Sequence, residues 1–280
     1  MRANVLLRYF LFLLIALPVG FLLLYPQLLR CLRVEHSTDF RRLTGTNAIY
    51  VHQSATPVQQ RQLLRHALTA RDRIRRFWGN QRGGAVLIYC SRQADYEQYC
   101  VGGEGAGCSL GTPWGTAYLV LGPEGNNADV IAHELCHDEL FTRLGWWRVK
   151  RQIPQWFNEG LALMVDYRFS SPSVWEQPDS SAENLSSLPW PPYPMPHAPN
   201  PMLKLTDLET TRDFFGGDYW HTMLAYRTAA QEVAHWLSVV GRAKVAVLTD
   251  AVASGDAFSE AYRRLERAQR VRSKQRLPGK

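Results

Sequence analysis

The chain has 280 residues, 46% of them hydrophobic and 20% charged, a balance that excludes a disordered protein and allows one large or two small folded domains. Its formal charge of +7 sits largely in Arg263–Lys280 and around the N-terminal segment, where charge is usually solvated, and no nucleic-acid recognition motif accompanies it, so a nucleic-acid partner is not expected. The five cysteines, Cys31, Cys90, Cys100, Cys108 and Cys136, contain no C-x-x-C pair, which excludes a zinc ribbon.

From Tyr9 to Leu29 no side chain is charged. As a helix this stretch would extend about 31 Å, the thickness of the hydrocarbon layer of a bilayer. It lacks the small-residue cleavage site of a secretory signal, and Arg30 stands before Cys31 where a lipoprotein signal needs a small residue. The expectation is an uncleaved single-pass transmembrane anchor over residues 1–33. Arginines on both sides do not set its orientation. Cys90, Cys100 and Cys108 cluster around a glycine-rich loop and predict one disulfide, partners undetermined, which places the following domain outside the cytoplasm.

In the body of the chain, Ala48–His52 alternates as a short strand, and Thr56-Pro57 then opens a helix with N-cap and N1 chemistry. That helix carries Leu63, Leu64, Ala67, Leu68 and Ile74 at helical spacing and ends at Gly79. Ala85–Tyr89 is a continuous apolar run, the pattern of a buried strand. Gln93–Cys100 predicts a short helix, followed by the loop Gly102–Gly107, and Ala117–Leu121 another strand that stops at Gly122-Pro123. Asn127 then caps a helix that closes at Leu144-Gly145; after a basic connector from Trp146-Trp147, Ile153–Asp166 reads as a second helix. The order predicts an α+β fold with a mixed sheet under the Asn127-capped helix and a helical C-terminal part through Leu265. Within a domain spanning 34–268, residues 170–201 form a proline-rich extended loop. Residues 269–280 are a basic, disordered tail.

The chemistry is concentrated in His133-Glu-Leu-Cys-His137. Positions i and i+4 share one helix face, so His133 and His137 can direct ring nitrogens at one metal ion, with Glu134 turned aside to address a water on it. Glu159 stands in the otherwise apolar Trp156-Phe-Asn-Glu-Gly160, where a carboxylate is costly unless paired or bound to a cation. Two imidazoles and a carboxylate leave a fourth tetrahedral position open, the arrangement of catalytic rather than structural zinc.

These two motifs, in this order, resemble those of the gluzincin zinc metallopeptidases, the superfamily of thermolysin and aminopeptidase N. The resemblance covers about residues 48–265 and implies a zincin-like α+β catalytic domain. It implies Zn2+ held by His133, His137 and Glu159, with Glu134 as general base for a zinc-bound water attacking a peptide or protein substrate. Tyr226, near the head of a helix through Gly241, matches the tyrosine that stabilises the tetrahedral oxyanion; Tyr219 and His221 are alternatives for that role. The resemblance also implies that Ala117–Leu121 is the sheet-edge strand that holds an extended substrate, and that Asp166 or Asp129 supports a ligand histidine. Two departures stand out. Gly111–Leu121 contains no glutamate to bind a free substrate amine, which points to an endopeptidase rather than an aminopeptidase, and Leu163 stands where thermolysin has an aspartate four residues after its zinc glutamate. The alternative is a non-catalytic binding or assembly protein at the membrane that keeps the zinc fold. The oligomeric state is not readable from the sequence.

Overall fold

The structure of the chain, a computed structural model, describes residues 22–46, 48–100, 105–176 and 203–276, with the even-numbered positions from 8 to 20. Five strands form one sheet: β1 (Phe40–Arg42), β2 (Ile49–His52), β3 (Val86–Tyr89), β4 (Gly107–Gly111) and β5 (Ala117–Leu121), in the spatial order β1-β2-β3-β5-β4. The inner strands β2, β3 and β5 run parallel, and β1 and β4 pair antiparallel at the two edges. The expected mixed sheet is thus present. Its inner strands are continuous apolar runs because both faces are covered.

On one face Ile49, Val51, Leu87, Tyr89, Leu119 and Leu121 pack into the main core, beneath α2 (Pro57–Trp78) and α4 (Ala128–Leu144). Thr56 and Gln59 cap α2 reciprocally, which satisfies two of the donors a helix start leaves unpaired. Between the strands, α3 (Gln93–Tyr96) is shorter than expected. Residues 107–111, taken in part as loop, form an edge strand, and the disulfide Cys100–Cys108 ties it to the segment after α3. Cys31, Cys90 and Cys136 are free and buried.

The opposite face buries Tyr50, Ile88, Tyr118 and Val120 with Leu28, Cys31 and Val34. Here the expectation of a preceding transmembrane helix is corrected. Among the described residues no helix is long and apolar enough to cross a membrane. Seven odd-numbered positions from 9 to 21 lie outside the described residues. The helix described at the end of the apolar stretch, α1 (Pro26–Arg33), has eight residues, about 12 Å at the α-helical rise, against the roughly 20 residues a span needs. Its apolar side lies on the sheet through Leu28 and Cys31, while Arg30 and Arg33 are exposed. Earlier in the apolar stretch, Phe10, Phe12, Leu14, Leu23 and Leu24 are exposed. The expected single-pass membrane placement is corrected with the anchor.

After α4, Gly145 turns the chain with φ of 79°, a conformation that costs a residue with a Cβ. The expected basic connector is itself a helix, α5 (Trp146–Gln152), and is followed by α6 (Gln155–Met164) and α7 (Ser173–Glu176). Residues 177–202, most of the proline-rich segment, lie outside the described residues. The C-terminal part is helical as expected: α8 (Thr211–Phe215), α9 (Tyr219–Val240), α10 (Lys244–Ala253) and α11 (Phe258–Arg276). Helix α11 continues through residues 269–276, which correct the expected disordered tail; residues 277–280 lie outside the described residues.

Buried charges fix α4 on this frame. Arg73 of α2 donates to Asp129 at 2.5 Å and to the Val165 carbonyl at 2.7 Å, joining the start of α4 to the end of α6. Further along α4, Glu139 accepts from the backbone of Arg82 and Gly83, both at 2.7 Å, and Asp138 from Ala85 at 3.0 Å. Each carboxylate is thereby satisfied where an unpaired one would be costly.

Candidate metal centre

Asn127 caps α4 by accepting from the Asp129 amide at 2.7 Å, as its sequence predicts. This starts the helix ahead of His133 and His137, whose rings meet edge to face at 5.0 Å on one helix surface. Opposite them, α6 supplies Glu159. Gly160 lets α6 approach α9, since a Cβ there would lie 2.5 Å from the Ala229 carbonyl oxygen and 2.7 Å from a Val233 methyl. Close helix packing therefore sets the depth at which Glu159 stands.

His133 Nε2 and His137 Nε2 lie 3.4 Å and 3.7 Å from Glu159 Oε2. One ligand atom from each of the three residues falls within 4.8 Å of the others, so the group could hold a metal ion. Bonds of about 2.0–2.1 Å in a tetrahedral site imply ligand separations of roughly 3.3 Å. The two histidine–carboxylate separations thus stand close to that value, and the residues fit the group the motif implies.

The outer partners of the ligands are distinct. His137 Nδ1 donates to Asn158 Oδ1 at 3.0 Å, which leaves the Nε2 lone pair facing the centre. His133 Nδ1 faces Asp166 Oδ2 at 3.6 Å, beyond a normal hydrogen bond. Asp129, the other candidate, is engaged by Arg73. Glu159 receives Gln155 Nε2 at 2.7 Å on its second oxygen. Sequence reading missed Asn158 as a partner, although it adjoins the ligand Glu159.

Electrostatics match the geometry. Burial would lower the His133 pKa, but Asp166, Glu159 and Glu134 together raise it to about 10. Burial would raise Asp166, but Arg168, in a two-pronged contact at 2.6 and 2.9 Å, and His133 hold it at about 2. Glu159 is likewise held below its usual range against burial, by His137 and His133. Three carboxylates converge here, and a cation at the Nε2 and Oε2 atoms would be favoured by the field they create.

Glu134 is buried and faces the edge strand, where Ser109 Oγ donates to its Oε2 at 2.6 Å and to its backbone carbonyl at 3.2 Å. The strand beside the helix is β4. Ala117–Leu121, expected as the substrate-holding edge, is β5, paired on both sides and wholly buried. Tyr226 stands on α9, packed against Phe214 and Phe215. Burial raises its hydroxyl pKa well above the ordinary value, and the charges of Glu159, Glu134 and Asp166 raise it further. It is a protonated donor near the same carboxylates. Of the two alternatives, Tyr219 is 60% exposed and His221 Nε2 is bonded to the Asp213 carbonyl at 2.8 Å.

No family model, curated protein or solved structure matches this chain.

Proposed function

We propose that the chain is a zinc-dependent peptidase of the gluzincin kind, endopeptidase-like in action. The observation that carries this reading is the convergence of His133, His137 and Glu159 on one point, with Glu134, the residue after the first histidine, hydrogen-bonded to Ser109 of the adjoining strand. Bound at these donors, zinc would supply Lewis acidity, polarising a carbonyl and making a water acidic near neutral pH. With one carboxylate oxygen fixed by Ser109, Glu134 takes the proton of the attacking water and passes it to the leaving amine. Tyr226, kept protonated by its surroundings, donates a hydrogen bond where oxyanion charge develops on the substrate. Asn158 orients the His137 imidazole through its hydrogen bond, and Asp166 faces His133 as a charge partner.

An extended peptide would lie along β4, the edge strand next to α4, and add to the sheet through backbone hydrogen bonds. No acidic side chain occurs between Gly111 and Leu121 to bind a free amine, which favours internal cleavage.

Metal analysis with an unbiased peptide digest tests the proposal. One zinc per chain with cleavage that stops on chelation and returns with zinc supports it. Stoichiometric zinc with no cleavage favours a binding protein that keeps the metal fold.

A further inference from the structure

The end of α5, the first turn of α6, the start of α8 and the start of α11 line an open cleft of about 810 Å3. Two residues of its wall, Gln155 and Asn158, are the outer partners of Glu159 and His137. The cleft is therefore one residue from the metal centre. Gln155 is itself held at this boundary, its Oε1 accepting from Thr211 at 3.1 Å and its backbone amide bonding to the Glu209 carbonyl at 2.8 Å.

Three cations line this space: Lys150, Arg151 and Arg212. None makes an ion pair among the described residues; Arg151 lies instead over the Trp147 ring at 5.2 Å. Of the carboxylates in the wall, Asp256 is already paired with Arg264, leaving Glu209 alone against three positive groups. A cleft with an excess of positive side chains concentrates anions. Its volume holds several peptide residues.

We infer that this cleft receives the carboxylate-bearing part of a peptide, so that the chain selects acidic peptides. As a substrate site this rests on the peptidase reading; as a binding site it stands on the cleft and its charges. The carboxylate has two sources, aspartate or glutamate side chains and a free C-terminus.

The test is fluorescence anisotropy with the full chain and three fluorescein-labelled peptides. These are a neutral amidated peptide, the same peptide with two glutamates, and the neutral peptide with a free C-terminus. At low salt the wild type is expected to bind at least one carboxylate peptide about tenfold more tightly than the neutral amide. The peptide that gains affinity identifies the source. Lys150→Met with Arg212→Gln should remove the gain. Arg61→Gln with Arg65→Gln, which removes the same charge from the separate surface of α2, should keep it. Equal binding of all three peptides by the wild type overturns the inference, as does an equal loss in the Arg61/Arg65 variant. The wild-type comparison decides the matter even if the double variant does not fold. Cleavage of the same peptides with zinc added is scored separately. Selective binding without cleavage removes the peptidase reading and keeps the cleft's assignment; cleavage without selectivity does the reverse.

Discussion

Ser109 on the edge strand β4 donates a 2.6 Å hydrogen bond to Glu134 on helix α4. This contact joins the strand on which a peptide would lie to the carboxylate that would move the proton. A hydrogen bond to a charged group contributes about 1.5–3 kcal/mol, and a tenfold change in rate corresponds to roughly 1.4 kcal/mol. Ser109→Ala is expected to lower kcat for peptide hydrolysis by about 10- to 100-fold with zinc content unchanged. Ser109→Thr, which keeps the hydroxyl, should recover much of the loss. Steady-state kinetics with metal analysis check both.

Asn158 is expected to matter for metal retention. Replacing an outer partner of a ligand histidine typically costs about 10- to 100-fold in metal affinity. Asn158→Ala should show that loss in a competition titration against a chromogenic chelator. Asn158→Asp, which still accepts from His137 Nδ1, should retain most of the affinity.

Two glycines give opposite expectations. At Gly160 a Cβ would sit 2.5 Å from a backbone oxygen of α9, and at Gly84 nothing lies within 4 Å. Overpacking costs about 1–3 kcal/mol, so Gly160→Ala should lower Tm by roughly 2–12 °C in a domain of this size and displace Glu159. Gly84→Ala should be neutral or raise stability by about 0.4–1 kcal/mol through the unfolded chain. Thermal unfolding of the two variants side by side makes the comparison.

The thiols provide a check on the fold. Burial pushes Cys31 and Cys90 up to about 12 and raises Cys136 further, so at pH 8 none carries appreciable thiolate. Ellman titration without reductant is expected to find almost no reactive thiol in the native protein and three after denaturation, from five cysteines less the Cys100–Cys108 pair. Five thiols on denaturation would remove the disulfide. Three rapidly reacting thiols in the native state would contradict the buried placement of α1 against the sheet.

The parts legible in the sequence are those fixed by local chemistry. The i, i+4 spacing put His133 and His137 on one face, Asn127 marked the start of their helix, and an isolated carboxylate in an apolar run marked Glu159. What was not legible is settled by contacts between distant segments. Gly107–Gly111 has two glycines in five residues and little strand propensity; its pairing with Ala117–Leu121 makes it a strand and moves the sheet edge away from β5. Helix α5 buries only Val149, too little to leave a periodic signal. Asp166 and Asp129 looked equivalent until Arg73, from a helix more than fifty residues upstream of Asp129, engaged one of them. Ser109 carries no mark in the sequence, because its role depends on β4 lying beside α4. Only the end of the apolar N-terminal stretch is accounted for by the fold, where Leu28 and the following Cys31 are buried against the sheet.

The most direct measurement is a mass-spectrometric comparison of a proteome-derived peptide library digested by wild type and by Glu134→Gln, each with its metal content determined. The proposed mechanism requires one zinc in both proteins, internal cleavages by the wild type, and a loss of at least about a thousandfold in the variant. Cleavage by Glu134→Gln at the wild-type rate, or zinc-loaded wild type that leaves the library intact, would contradict it.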